Sequence, residues 1–271
     1  MTPGTILGER NGLTVRSAFG AVDIDAAQHL RYRVFYEELA ANPDAATRAS
    51  RRDADRFDGI CDHLLVVRNA AADSVDPIML ADGELVGCYR VLRQSVAEAH
   101  GGFYTQSEFD LAPLLARKAG LNFLELGRSC VLKPYRTKPV VELLWQGIWN
   151  YVCFHGLDVM MGCASLEGTD PDAHAVALSF MAQNCAAPPD WRVRALAARY
   201  VEMNRLPKES VDPKAALRAL PPLVKGYLRL GCSIGEGAVI DRQFNTTDVL
   251  IMLPVASIDP RYLSHFGAPA E

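Results

Sequence analysis

NFLELGRSCVL (122–132), the helix-length run TKPVVELLWQGIWNYVCFH (137–155) closed by Gly156, and LDVMMGCAS (157–165) are the stretch that decides the fold. The outer pieces are apolar runs of strand length. The middle piece is long enough for about five turns of helix. Glycine directly after a helical run is a common stop. Strand, helix, strand predicts a βαβ unit, and with it a parallel pair inside a mixed sheet.

Upstream, LTVRS (13–17), DHLLVVRN (62–69) and ELVGCYRVLR (84–93) read as strands. Residues 70–81 join the last two as an elaborated hairpin, with Asp82-Gly83 as a turn signal. A helix opened by Asp23 or Asp25 includes AAQHLRYRVFYEEL, with Leu30, Val34, Phe35 and Leu39 at helical spacing. FDLAPLLARKAG (109–120) reads as a short helix, and the charged run 41–59 as a solvated loop. Downstream, 168–212 reads as an insertion of helices and loops. A helix from Pro213 then breaks at Pro221-Pro222 and reaches Gly231, and two strands close the chain around Asn245.

Composition narrows the class. The 271 residues are 49% hydrophobic and 22% charged, which excludes a disordered or fibrous chain. The net charge of -4 offers no basic field for nucleic acid. Seven cysteines, at 61, 88, 130, 153, 163, 185 and 232, are odd in number and never in C-x-x-C spacing. Reduced thiols in a cytoplasmic protein fit them better than a disulfide framework or a zinc ribbon. Histidines 29, 63, 100, 155 and 174 show no metal-ligand spacing. The N-terminus has no signal core, and the uncharged run 143–157 is too short to span a bilayer.

An antiparallel run of strands feeding a βαβ unit, then a return pair, predicts an α/β (α+β) fold with a mixed, mostly antiparallel sheet flanked by helices, and resembles the architecture of the acyl-CoA N-acyltransferases. Amine acylation needs a neutral amine, a polarised acyl carbonyl and a leaving thiolate. On 122–132, Glu125 is the candidate base, and an ion pair with an arginine is its structural alternative. Gly127 inside a strand marks a bulge or a close backbone approach, and its N–H groups are candidates for the oxyanion. Strict alternation puts Glu125 and Gly127 on one face, and Leu126 and Arg128 on the other, unless a bulge intervenes.

The order of motifs resembles the acyl-homoserine-lactone-synthase-like branch of the GNAT superfamily, and within it the bacterial L-ornithine N-alpha-acyltransferases. Arg31 and Phe35 give R-x-x-x-F, Asp55 and Asp58 give D-x-x-D, GCYRVL supplies Arg90, and Glu125 and Arg128 give E-x-x-R. LPPLVKGYLRLG (220–231) and FNTTDVLIMLP (244–254) are typical of the ornithine group. The resemblance implies a single GNAT-like domain over 1–271, with a helical insertion at about 168–212. It implies catalytic Glu125, Gly127 and Arg128, and substrate contacts from Arg31, Phe35, Asp55, Asp58 and Arg90. The implied reaction moves a 3-hydroxyacyl group from acyl carrier protein to the alpha-amine of L-ornithine, giving lyso-ornithine lipid, with no metal or bound cofactor.

Departures from the branch carry information. No tryptophan follows the R-x-x-x-F motif, and Gly127 replaces the serine usual in lactone synthases. Coenzyme-A-using relatives carry R/Q-x-x-G-x-G/A where this chain has Arg136-Thr137-Lys138-Pro139-Val140-Val141. Proline has no N–H to offer a pyrophosphate. Lys133, Arg136 and Lys138 form a basic cluster suited to a phosphopantetheine arm or an acidic carrier surface. The alternatives are another acceptor such as glutamine or glycine, lactone synthesis, or a non-catalytic acyl-carrier or lipid-binding module. An amphiphilic product is compatible with peripheral contact at the inner membrane; 249–258 is an apolar candidate surface, although a buried closing strand explains it better.

Overall fold

Asn11 and Gly12 both take positive φ, 52° and 73°, and fold Ile6–Arg10 (β1) back on Leu13–Ser17 (β2). Two positive φ angles in a two-residue loop are the type I′ hairpin that Asn-Gly favours. The sheet therefore starts one strand earlier than the sequence reading placed it.

The computed structural model describes residues 1–69 and 76–263, and the chain forms two compact units. The first holds Met1–His100 and Leu126–Leu157, the second Gly101–Glu125 and Asp158–Tyr262. In chain order, α1 (Ala21–Tyr32) runs straight into a π-helical turn, Arg33–Glu38. Then come α2 (Ala45–Ser50), β3 (Asp62–Arg68), β4 (Met79–Leu80), β5 (Gly83–Arg93) and α3 (Gln94–Ala99). The connection expected over 70–81 contains β4; residues 70–75 of it lie outside the described residues. After α4 (Ala112–Arg117), β6 (Phe123–Val131) starts in the second unit and ends in the first, where α5 (Lys138–His155) follows.

In the first unit β1, β2, β3 and β5 are antiparallel neighbours, and β6 lies next to β5. Ala26, Ala27, Leu30 and Val34 pack against Leu65, Val67, Leu85, Cys88 and Cys130. On α5, Gly147 is required by proximity: an added Cβ would come within 2.7 Å of Val15. Asn150 donates to the Leu7 carbonyl at 2.6 Å, fixing the helix on the first hairpin. Gly156 ends α5 in the left-handed conformation, as expected of a C-terminal glycine.

The second unit continues with β7 (Val159–Glu167), α6 (Ala175–Asn184), β8 (Tyr200–Val201), α7 (Pro213–Ala219), α8 (Pro222–Arg229), β9 (Ser233–Asp241) and β10 (Thr246–Pro254). β6 is parallel to β7 from Phe123–Val159 to Glu125–Met161, and β10 is antiparallel to both β7 and β9. The helical insertion is mostly not helical. Beyond α6 the chain is extended and bridges β9 at Ala186–Ile234 and Arg194–Glu236 before β8 pairs with it. Prolines 188, 189 and 207 deny helix donors. Buried Val193 and Ala195 flank exposed Arg194, a period of two. The 249–258 stretch is mostly a buried strand, as the preferred reading has it.

Candidate active site

A D-x-x-D turn beside α1 organises the first unit. Asp53 N–H donates to the Gln28 carbonyl at 3.1 Å, and Asp58 N–H to the Asp55 carbonyl at 3.2 Å. This turns three carboxylates inward, toward a fully buried Arg31. Arg31 donates from Nε to Asp53 Oδ2 at 2.8 Å and from Nη2 to both Asp58 oxygens at 2.8 and 2.9 Å. Arg90, from β5, forks onto Asp55 at 2.6 and 3.0 Å and reaches Asp58 at 3.1 Å. Arg128, from β6, donates to Asp53 at 3.1 Å and Asp55 at 3.2 Å.

Three guanidiniums and three carboxylates therefore alternate. Burial opposes ionisation of Asp58, but Arg31, Arg90 and the Asp55 N–H outweigh it and hold its pKa at about 2. Burial likewise opposes ionisation of Asp55, and Arg90 and Arg128 still lower its pKa. Asp55 is the open end of the network, with its side chain 26% exposed. The sequence motifs pointed to Arg31, Asp55, Asp58, Arg90 and Arg128, and the structure brings these five together. They missed Asp53, which stands in the same charged run outside any motif.

Arg128 has φ 51°, a left-handed residue within a strand. That conformation costs about 1–2 kcal/mol outside glycine, and it turns the side chain toward Asp53 and Asp55. The irregularity expected at Gly127 therefore falls one residue later. Gly127 keeps an open backbone: an added Cβ meets no atom within 4 Å. Phe35 packs against the core cluster.

The three cations after β6 have different surroundings. Lys133 lines a cavity of about 760 Å³ with Arg33, Glu38, Arg68, Glu84 and Tyr135. Arg136 forks onto both oxygens of Glu38, at 2.5 and 2.9 Å, and donates to the Val131 carbonyl at 2.9 Å. Lys138 extends into solvent, 3.4 Å from Glu142.

In the second unit the buried Glu125 carboxylate accepts from the backbone N–H groups of Tyr104 at 3.0 Å and Thr105 at 2.7 Å. Two fixed donors set its orientation. Close by in sequence, Glu108 forms a buried acidic group with Asp241 and Asp248, one oxygen of each lying within 4.8 Å of the others. Arg199 pairs with Glu108 at 3.2 Å, and the Cys163 thiol donates to its other oxygen at 3.2 Å. Sequence reasoning missed this group because Glu108 comes from a loop far in sequence from the β9–β10 hairpin that carries Asp241 and Asp248. The one local signal is an aspartate inside the apolar run TTDVLIML (246–253).

Burial, with Glu108 nearby, pushes Asp248 up to about 7. Between its ordinary value of 3.8 and about 7, the folded chain keeps a proton that the unfolded chain releases. Stability should therefore fall as pH rises through that window. Asp248→Asn should abolish this slope and gain on the order of 2–4 kcal/mol at pH 8, at 1.36 kcal/mol per unit. Urea titrations of both proteins at pH 5 and pH 8 would test it, and parallel pH profiles would refute it.

The chain is similar to known proteins. Residues 30–146 match the Acetyltransferase (GNAT) domain model. The chain is 51% identical over 267 residues to the L-ornithine N(alpha)-acyltransferase of Agrobacterium fabrum, covering 98% of this chain and 89% of that one. It is 51% identical over 267 residues to the protein of the same name from Rhizobium meliloti, with coverage of 98% and 88%. A structure of an N-acyl amino acid synthase from uncultured soil microbes aligns at 13% identity over 93% of this chain and 94% of that one, with a TM-score of 0.48, too slight a likeness to argue from.

Proposed function

The chain belongs to the L-ornithine N(alpha)-acyltransferase family of GNAT proteins, and from that premise we propose that it moves a 3-hydroxyacyl group from acyl carrier protein to the alpha-amine of L-ornithine. The product is lyso-ornithine lipid. The observation that supports this best is the meeting of Arg31, Asp55, Asp58, Arg90 and Arg128, named by motif and distant in sequence, in one network. At its open end Asp55 offers an anion to an ammonium, and Arg90 and Arg128 offer cations to a carboxylate. Phe35 is an apolar wall against which the aliphatic part of the amino acid rests.

The donor side is read from the start of α5. Pro139 removes an amide where a pyrophosphate would need one. A single phosphodiester with Lys133 beside it needs less, and this favours the carrier-borne arm. Arg136 and Lys138, on the same connection, face the carrier's acidic surface. In the reaction, the ammonium loses a proton, with Glu125 as acceptor directly or through water. The amine nitrogen attacks the thioester carbon, whose oxygen is polarised by backbone N–H groups near Gly127. The C–N bond forms, the C–S bond breaks, and the thiolate takes up a proton. No metal or bound cofactor enters these steps.

The test is product analysis. Purified protein would receive 3-hydroxyacyl-acyl carrier protein, or the same acyl group on coenzyme A, with a pool of amino acids. The expected outcome is N-acyl-ornithine formed faster from the carrier, read by mass spectrometry. Equal rates from coenzyme A would remove the donor assignment. Acylated glutamine or glycine would move the acceptor. Among the described residues no helix is long and apolar enough to cross a membrane. Cytoplasmic placement with peripheral contact at the inner membrane belongs to the same proposal.

A further inference from the structure

Residues 213–235 contain Lys214, Arg218, Lys225 and Arg229 and no aspartate or glutamate, in a chain whose net charge is -4. They form α7 and α8, and both helices are two-faced. Ala216, Leu220, Val224, Tyr227 and Leu230 are buried. On the outer side stand Lys214, Leu217 and Arg218 of α7, and Leu223 and Arg229 of α8. Leu217 is 42% exposed and Leu223 is 37% exposed. Around Gly226 the outer side of α8 is open, since an added Cβ meets nothing within 4 Å. Lys225 Nζ donates to the Arg218 carbonyl at 3.2 Å and ties the second helix to the end of the first. Among the described residues, none of the four cations has a carboxylate within 4.0 Å.

Unpaired cations interleaved with exposed leucines are what an anionic lipid interface takes up: the leucines enter the acyl boundary and the cations meet the headgroups. An acidic protein partner would draw on the same cations, and use of acyl carrier protein by the charge-reversed variant separates the two. We propose that the outer face of α7 and α8 docks the protein on an anionic phospholipid surface. This gives a location to the membrane contact expected of an enzyme with an amphiphilic product. It rests on that reading for its purpose, while the binding itself does not depend on the acyl donor or acceptor.

The experiment is co-sedimentation of the full chain with vesicles of phosphatidylcholine alone, or with about a third phosphatidylglycerol, at low salt and at about 0.5 M salt. Binding is expected only to the anionic vesicles, with loss at high salt. Lys214→Glu with Arg218→Glu should weaken it more than about tenfold. Leu217→Ser with Leu223→Ser should weaken it severalfold and leave acylation of soluble substrates unchanged. Equal binding to both vesicle types, or parental binding by the charge-reversed variant, would overturn the proposal. So would unchanged vesicle binding with weakened use of acyl carrier protein, which would give the surface to the carrier. Vesicle binding by a chain that acylates no amine would instead sink the acyl-transfer reading and leave this one standing.

Discussion

Arg31→Leu is expected to destabilise the protein by about 3–5 kcal/mol, a large part of the stability of an ordinary domain. The cost does not come from losing attractive contacts alone. Arg31 donates to Asp53 and Asp58, both buried. Without it these carboxylates remain in a low-dielectric interior, with Arg90 and Arg128 already shared among three acids. Arg31→Lys should recover only part of the loss, because an ammonium cannot donate in a fixed fork to two carboxylates. Arg52→Leu is the control: its pair with Asp25 is partly exposed to water and should be worth under about 1 kcal/mol. Urea unfolding of the three variants measures these differences, and an Arg31→Leu cost within about 1 kcal/mol of the control would contradict the account. Acid should act on the same network. Asp58 titrates at about 2 when folded against 3.8 as its ordinary value, so its contribution is complete above 3.8 and is lost as pH falls toward 2.

Gly127→Val should do the reverse, sparing the fold and removing the chemistry. A Cβ added at Gly127 meets no atom within 4 Å, and valine suits a strand. The melting temperature should stay near that of the parent. Yet the added methyls occupy space beside the backbone that the proposed thioester arm must approach. Displacement of a reacting carbonyl by about 1 Å can cost on the order of 100-fold, so kcat/KM should fall by at least that much. Gly147→Val would show the opposite pattern, because its Cβ meets Val15 at 2.7 Å and the helix must shift. Normal kinetics in a folded Gly127→Val protein would place the acyl group elsewhere.

Much of this was legible because local signals agreed. The strand–helix–strand run around α5, its glycine stop and the proline break between α7 and α8 all rest on periodicity and punctuation. β1 was legible and overlooked: Asn11-Gly12 is a strong hairpin signal, but five residues containing a glycine make a weak strand on their own. In the supposed insertion, the alternation at 191–195 was absorbed into a reading of helices and loops, because too few alternating residues stand together to mark a strand. The ion network was legible in its motif residues but not in Asp53, which differs from exposed acids only in the turn that carries it. The acidic group of Glu108, Asp241 and Asp248 depends on contacts across more than half the second unit's sequence, which no local pattern encodes. The positive φ of Arg128 is likewise silent, since the adjacent glycine is where such a conformation costs least.

The π-helical turn at Arg33–Glu38 changes the angular phase of the segment that contains it. In an unbroken α-helix, residues seven apart differ by only about 20° around the axis, so Arg31 and Glu38 would point the same way. Here the Leu39 N–H reaches back to the Val34 carbonyl, five residues away, and the wider turn inserts a slip. Arg31 faces the buried side of the ion network, while Glu38 faces the rim of the Lys133 cavity and clasps Arg136. One continuous segment thus serves two differently oriented tasks, acting as a cam rather than a straight rod. A one-residue deletion between Arg33 and Glu38 would restore an α-helical pitch and make it lose one of the two.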